Sequence, residues 1–205
     1  MGDQQITITQ MKRSLPDTLT ENEENRLLAT FNRRYRTAER NRLMIWLALN
    51  TGMRVGDLIN LRFGDIELDT GRCHIKMGKG RKDRIVFIKP AILSDLVDLA
   101  DRISDHTGLV FTTLKGGPVQ AQYLRRMIGN QARKAGIEKR VHFHLLRHTY
   151  LTRLYRETKD LRLVQEVAGH ASSATTEIYT HVSGEDIKDA MLASRHPAQE
   201  TPLSG

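Results

Sequence analysis

Apolar residues recur along this chain at two different spacings, and the switches between them mark its elements. Thr20-Glu-Asn-Glu23 has the form of a capping box, so a helix is expected over about 21–33. Residues 38–50 carry apolar side chains at 43, 44, 47 and 48, the stripe of a second helix. Thr51-Gly52 then turns the chain, and Val55 to Leu61 reads as a short helix with Leu58 and Leu61 inward. The spacing next shortens. Ile66-Glu-Leu68, Cys73-His-Ile75-Lys-Met77 and Ile85-Val-Phe-Ile88 read as strands, separated by turns at Asp69-Thr-Gly71 and Gly78 to Asp83. Helical spacing returns from Pro90 to about Ile103, and Leu109-Val-Phe111 is a brief extended piece. Helices are expected over 119–135, closed by Gly136, and over 144–158, 161–168, 172–181 and 185–194. The fold class is α+β: a mainly helical domain with one small three-stranded antiparallel sheet. Residues 1–19 read as an arm or linker, 20–194 as the domain, and 195–205 as a flexible tail.

Composition narrows the function classes. The 205 residues are 39% hydrophobic, enough for a core, and no apolar run approaches the roughly 18 residues of a membrane span. The N-terminus has no basic-then-apolar signal pattern, and one cysteine, Cys73, excludes an internal disulfide framework and a cysteine-based zinc site. A cytoplasmic protein is the expectation. Net charge is +8, and residues 121–162 alone hold eleven Lys and Arg against three acids. Residues 183–205 are acidic by contrast. A basic centre suits a polyanion, although a solvated helix face has the same composition.

Five stretches carry chemistry. They are Thr51-Gly-Met-Arg54, Gly78-Lys79-Gly80, His144-Leu-Leu-Arg147-His148, Ala168-Gly169-His170 and Tyr179. Arginine is the residue for clamping a phosphate, because its planar fork binds two oxygens and keeps its charge. Lys79 sits in a turn with Arg81, Lys82 and Arg84, where a protonated amine can serve as general acid. His144 and Arg147 share a helix face at i, i+3. His144 and His148 at i, i+4 have zinc-ligand spacing, but the acid of a metalloprotease helix and any cysteine nearby are missing, so no metal is expected. Tyr179, with a free pKa near 10, needs neighbouring cations and a base to attack phosphorus. Taken singly, each has a plainer reading as surface arginine, charged turn, ordinary histidine or helix aromatic.

Their order resembles one family closely, the tyrosine recombinases (phage integrases and Xer-type recombinases). Thr51 to Leu58 is similar to the family's first arginine box, and 78–84 to its lysine hairpin. His144 to Thr149 is similar to its His-x-x-Arg box, Gly169-His170 to its second histidine, and Ile178-Tyr179-Thr-His181-Val to its nucleophile box. The resemblance covers roughly residues 15–194 and implies the recombinase catalytic-domain fold. It implies attack by Tyr179 on double-stranded DNA, a 3′-phosphotyrosyl intermediate and a free 5′-hydroxyl, without cofactor or metal. In that scheme Arg54 and Arg147 bind the scissile phosphate, Lys79 protonates the leaving oxygen, His144 handles the tyrosine proton and His170 steadies a phosphate oxygen. It further implies a homotetramer on two DNA sites, monomeric when free, acting at the nucleoid, with residues 185–194 linking protomers.

Three departures are visible: Asp57 for the usual Glu, Phe143 for Pro, and Ala168 for Leu. Only about 20 residues precede the first helix, where family members carry a helical core-binding domain. This reads as a fragment or a minimal member. Expected phosphate contacts are Arg81, Lys82, Arg84, Arg125, Arg126, Arg133, Lys134, Lys139 and Arg140. Alternatives are strand cleavage and relaxation of the type IB topoisomerase kind, a non-catalytic DNA-binding regulator, and an RNA-binding module. The last is weakened by an aromatic content of 5%.

Overall fold

In the computed structural model of the chain, the described residues are 17–76, 83–101, 108–169 and 191–192. The core is built around α2 (Arg36–Thr51). Every residue from Leu43 to Thr51 is buried, so this helix is covered on all sides instead of along one stripe. It packs most extensively on α6 (Phe143–Thr158) and also touches α1 (Glu21–Ala29), α3 (Val55–Asn60) and α4 (Pro90–Asp101). Two further helices are α5 (Ala121–Lys134) and α7 (Leu161–Ala168). None of the described helices is long and apolar enough to cross a membrane.

Local chemistry sets the helix ends. Thr20 Oγ1 accepts from Glu23 N–H at 3.3 Å and Glu23 Oε2 accepts from Thr20 N–H at 2.7 Å, the reciprocal box expected from the sequence. The helix stops at Ala29, short of the expected 33. Leu19, placed by sequence in an arm, is buried, and its N–H donates to Thr149 Oγ1 on α6 at 2.9 Å. Asp160 Oδ1 accepts from Arg162 and Leu163 N–H at 2.8 and 3.1 Å and starts α7.

The sheet has two strands among the described residues, not three. β1 (Arg72–Ile75) and β2 (Arg84–Phe87) pair antiparallel, with Arg72 opposite Phe87 and Ile75 opposite Arg84. The expected first strand shrinks to a single bridge between Ile66 and Cys73. Residues Phe63–Asp65 form a 3₁₀ turn immediately before it, and the Glu67–Gly71 turn closes immediately after it. Too little extended chain is left to pair. The expected turn tip, helix 172–181 and most of helix 185–194 lie outside the described residues. Met191 and Leu192 are helical. Met191 is fully buried, and its sulfur accepts from Phe87 N–H on β2 at 3.3 Å.

The core also contains charge. Glu24 on α1, 1% exposed, accepts from Arg153 of α6 at 2.9 Å, and Arg153 also donates to Leu49 O at the end of α2 at 2.6 Å. This links three helices. Lys89, 2% exposed, lies in the same region. Burial first, then Arg153, push its pKa from 10.5 to about 8, while Glu157 and Glu24 pull the other way. Between those two values the unfolded chain holds a proton that the native state does not, so native stability rises with pH there. Lys89→Met should therefore stabilise the fold at pH 7 by about 1–3 kcal/mol. The gain should shrink as pH rises from 8 towards 10.5. Urea unfolding of both proteins at pH 7 and 9.5 checks this; a destabilised variant at pH 7 would show the network needs the ammonium.

Candidate active site

Two backbone carbonyls organise the site. The first is Ala168 O, at the last turn of α7. A helix leaves its final carbonyls without intrahelical donors, and partial negative charge gathers there. Gly169 caps α7 in the left-handed region at φ 58°, so the chain leaves the helix and Ala168 O stays accessible. Arg54 Nη2 donates to it at 3.1 Å, and Arg147 Nη2 donates to it as well. The second is Gly52 O, at the end of α2, which accepts from Arg147 Nη1 at 2.5 Å.

Each arginine is delivered by a defined local structure. Gly52 takes φ 64°, its N–H bonding Ala48 O at 3.0 Å, and ends α2. Two residues later Arg54 is the extended N-cap of α3, and Asp57 Oδ2 accepts its N–H at 2.9 Å. From that corner the side chain reaches Ala168 O at the end of α7. Arg147 lies in the second turn of α6. That helix starts at His142, whose Nδ1 accepts from Leu145 N–H at 3.1 Å. Arg84, on β2, is a third member. It is buried, and its Nη2 meets Asp57 Oδ2 at 2.6 Å. The positive φ of Gly169 favours glycine, and a Cβ there would stand 3.0 Å from Arg84 Cδ, tight enough to press on that side chain.

The electrostatics follow from this convergence. Arg147 is 3% exposed, and its pKa is pulled from 12.5 to about 10. Burial is the first cause, the like charges of Arg54 and Arg84 come next, and Asp57 alone pulls back. Among the described residues whose charges act on this site, three are guanidiniums and one is a carboxylate. Arg147 commits two of its five N–H groups to carbonyls and, among the described residues, has three left. An anion with two or more oxygens fits that need.

His144 lies apart from this interior cluster, on the exposed side of the first turn of α6. Its Nε2 is 2.8 Å from His148 Nε2, and the two rings meet edge to face at 4.3 Å. His142 stacks over His144 at 6.3 Å; burial first, then His144 and Arg140, hold its pKa below the usual histidine value. Among the described residues no three His, Cys, Asp or Glu side chains gather as metal ligands. Lys79, Arg81, Lys82, His170 and Tyr179 lie outside the described residues.

A family model for the phage integrase family matches residues 17–186. The chain belongs to the phage integrase family. It is 37% identical over 191 residues to the tyrosine recombinase XerD of Staphylococcus saprophyticus, covering 90% of this chain and 64% of that protein. It is 38% identical over 159 residues to XerH of Campylobacter jejuni, covering 76% of this chain and 45% of that protein. Among solved structures, the XerA recombinase superposes with a TM-score of 0.68 at 34% identity, over 84% of this chain and 61% of that one. XerH bound to its difH substrate, in a pre-cleavage complex, gives 0.67 at 33%, over 82% and 51%. The chain thus spans less than two thirds of the length of these relatives.

Within this phage integrase family member, the basic residues named from sequence divide into two groups. Arg125, Arg126, Arg133 and Lys134 on α5 and Arg140 beyond it are exposed, over a buried face of Leu124, Met127, Ile128 and Ala132. Lys139 is tied to Glu23 at 2.8 Å and Thr18 O at 2.9 Å. Arg84 is turned inward to Asp57 and not outward to a groove. Sequence reading noted Asp57 only as a departure. Its signal was present: an acid three residues after an extended Arg54 is a capping position. The roles of the Gly52 and Ala168 carbonyls had no side-chain signal at all.

Gly52→Ala should cost about 2–4 kcal/mol, from left-handed strain and a Cβ 2.8 Å from Tyr150 Cδ1. Because Gly52 O holds Arg147, the loss should come with a weakened anion site. Denaturant unfolding measures the first effect; a cost under about 0.5 kcal/mol would mean that the corner adapts freely.

Proposed function

We propose that this domain is the catalytic part of a site-specific DNA recombinase that cleaves and rejoins double-stranded DNA through a 3′-phosphotyrosyl link. The observation that carries the reading is the convergence of buried Arg147 and half-buried Arg54 on the end of α7, with more positive than negative charge around them. A phosphodiester passing through a pentacoordinate transition state gains negative charge on its non-bridging oxygens. Rigid, desolvated guanidiniums stabilise that charge without reorganising.

In this reading Tyr179 Oη attacks phosphorus and displaces the 5′ oxygen. His144 takes the tyrosine proton, Lys79 gives one to the leaving oxygen, and His170 donates to a phosphate oxygen. Arg54 and Arg147 hold the two non-bridging oxygens. The ester bond energy is kept in the phosphotyrosyl link, so a 5′-hydroxyl can reverse the step on a new strand. Exposed Arg125, Arg126, Arg133, Lys134 and Arg140 line the duplex backbone, and four protomers act on two sites. The relatives named above support the reading, since XerH is captured on its difH substrate before cleavage.

A pool of nicked duplexes of randomised sequence tests this. The chain should form a covalent adduct resistant to phenol extraction, and Tyr179→Phe should form none while binding DNA normally. Arg147→Ala should slow adduct formation by at least about 10²–10³-fold. An adduct that survives in Tyr179→Phe would move the nucleophile elsewhere. Arg125→Glu combined with Arg126→Glu should flatten the log–log salt dependence of binding by about two contacts' worth, near 0.9 each. An unchanged slope would place the duplex off α5.

A further inference from the structure

The contact between His144 and His148 lies at the exposed start of α6 and constrains both rings. Two imidazole nitrogens at 2.8 Å are within hydrogen-bond distance, and one must donate while the other accepts. Both rings use Nε2 for this contact, so the nitrogen of His144 left for a substrate is Nδ1. To accept a proton at Nδ1, neutral His144 must carry its hydrogen on Nε2. Nε2–H then donates to His148 Nε2, which requires His148 to carry its own hydrogen on Nδ1. His142 does not compete for this role. Its Nδ1 is engaged by Leu145 N–H, and its ring lies nearly parallel to His144 at 6.3 Å.

We propose that His148 is a positioning residue for the cleavage reaction: it fixes the Nε2–H tautomer of His144 and shares the proton that His144 takes from Tyr179. The proposal rests on the function proposed above. The Tyr179 O–H bond breaks and a His144 Nδ1–H bond forms, while a phosphorus–oxygen bond to Tyr179 forms and the bond to the 5′ oxygen breaks, that oxygen taking a proton from Lys79. The extra proton leaves His144 Nε2 for His148 Nε2, so the positive charge spreads over two rings. On rejoining, His148 gives its proton back to His144 Nε2 and the Nδ1–H proton of His144 returns to Tyr179. The fold supports the arrangement. His144 and His148 are one turn apart on α6, so the contact is set by helix geometry. Arg147 lies between them in sequence and is anchored on Gly52 and Ala168, which fixes the rotation of the helix.

The test uses the 205-residue chain and a nicked duplex that the wild-type chain captures covalently from the randomised pool. His148→Phe removes the acceptor. Single-turnover cleavage should fall about 10²-fold, with DNA affinity and melting temperature unchanged. His148→Gln, whose amide oxygen can accept from His144 Nε2–H but cannot take the proton, should recover to within about tenfold of wild type. In a His144→Phe background, His148→Phe should slow cleavage no further. Should the phenyl ring unfold the protein, His148→Ala with added imidazole gives the same comparison, and restored cleavage is expected. Nitrogen-15 NMR of the wild-type imidazoles should find His144 protonated on Nε2. Full-rate cleavage by His148→Phe, an equal loss with and without His144, no rescue by imidazole, or an Nδ1–H His144 would each overturn the proposal. If the wild-type chain captures no duplex, or Tyr179→Phe captures it equally, the proposed function itself fails and takes the proposal with it. That result differs from an intact reaction that ignores His148.

Discussion

The structure depends on one backbone oxygen. Ala168 O, at the end of α7, is the point where Arg54 from the α2–α3 corner and Arg147 from α6 meet. Remove that acceptor and two cations, Arg147 buried and Arg54 half-buried, lose the group on which they meet. The arrangement uses a general property of helices, the partial negative charge at their C-termini, to hold groups that repel one another. Each bond from a charged donor contributes about 1.5–3 kcal/mol. Desolvating a guanidinium costs several kcal/mol, so the carbonyls offset much of the burial but not the like-charge repulsion. The residual imbalance is visible in Arg147, held near pKa 10 and still protonated at neutral pH. A site in this condition is preorganised for an anion.

The same economy of design runs through the surrounding fold. Asp57 serves twice, accepting the Arg54 N–H and the Arg84 guanidinium. It therefore ties the sheet to the first arginine. Arg153 bridges α6 to α1 and α2 through Glu24 and Leu49 O, so the helix that carries His144 and Arg147 is clamped along its length. Tyr150 completes the contact, packed on Gly52 with its hydroxyl fully buried; burial raises its pKa far above the usual tyrosine value. Its side chain is closed off from solvent in the folded state.

Much of this was legible in the sequence. The capping box at Thr20, the all-apolar stretch of α2 and the left-handed glycines at 52 and 169 each have a local cause that sequence displays. The third strand was misread because alternation in Ile66-Glu-Leu68 ignores the turns that crowd it on both sides. Arg84 was assigned to a surface because charge pattern carries no information about burial. Its partner Asp57 lies 27 residues away in sequence. The convergence on Ala168 O was illegible for a deeper reason: backbone carbonyls look the same at every position, and only tertiary packing selects one. The His144–His148 pair was noticed by its spacing, but its consequence needed the ring orientations.

The central claim is that Arg54 and Arg147 form one phosphate site held by the Gly52 and Ala168 carbonyls. The position of a bound phosphodiester tests it most directly, in a structure of Tyr179→Phe with a nicked duplex. The account predicts the non-bridging oxygens of a single phosphate within hydrogen-bond distance of both guanidiniums, with Arg147 still bonded to Gly52 O and Ala168 O. A duplex whose nearest phosphate lies out of reach of Arg147, or an Arg147 that must abandon both carbonyls to touch it, would contradict the account.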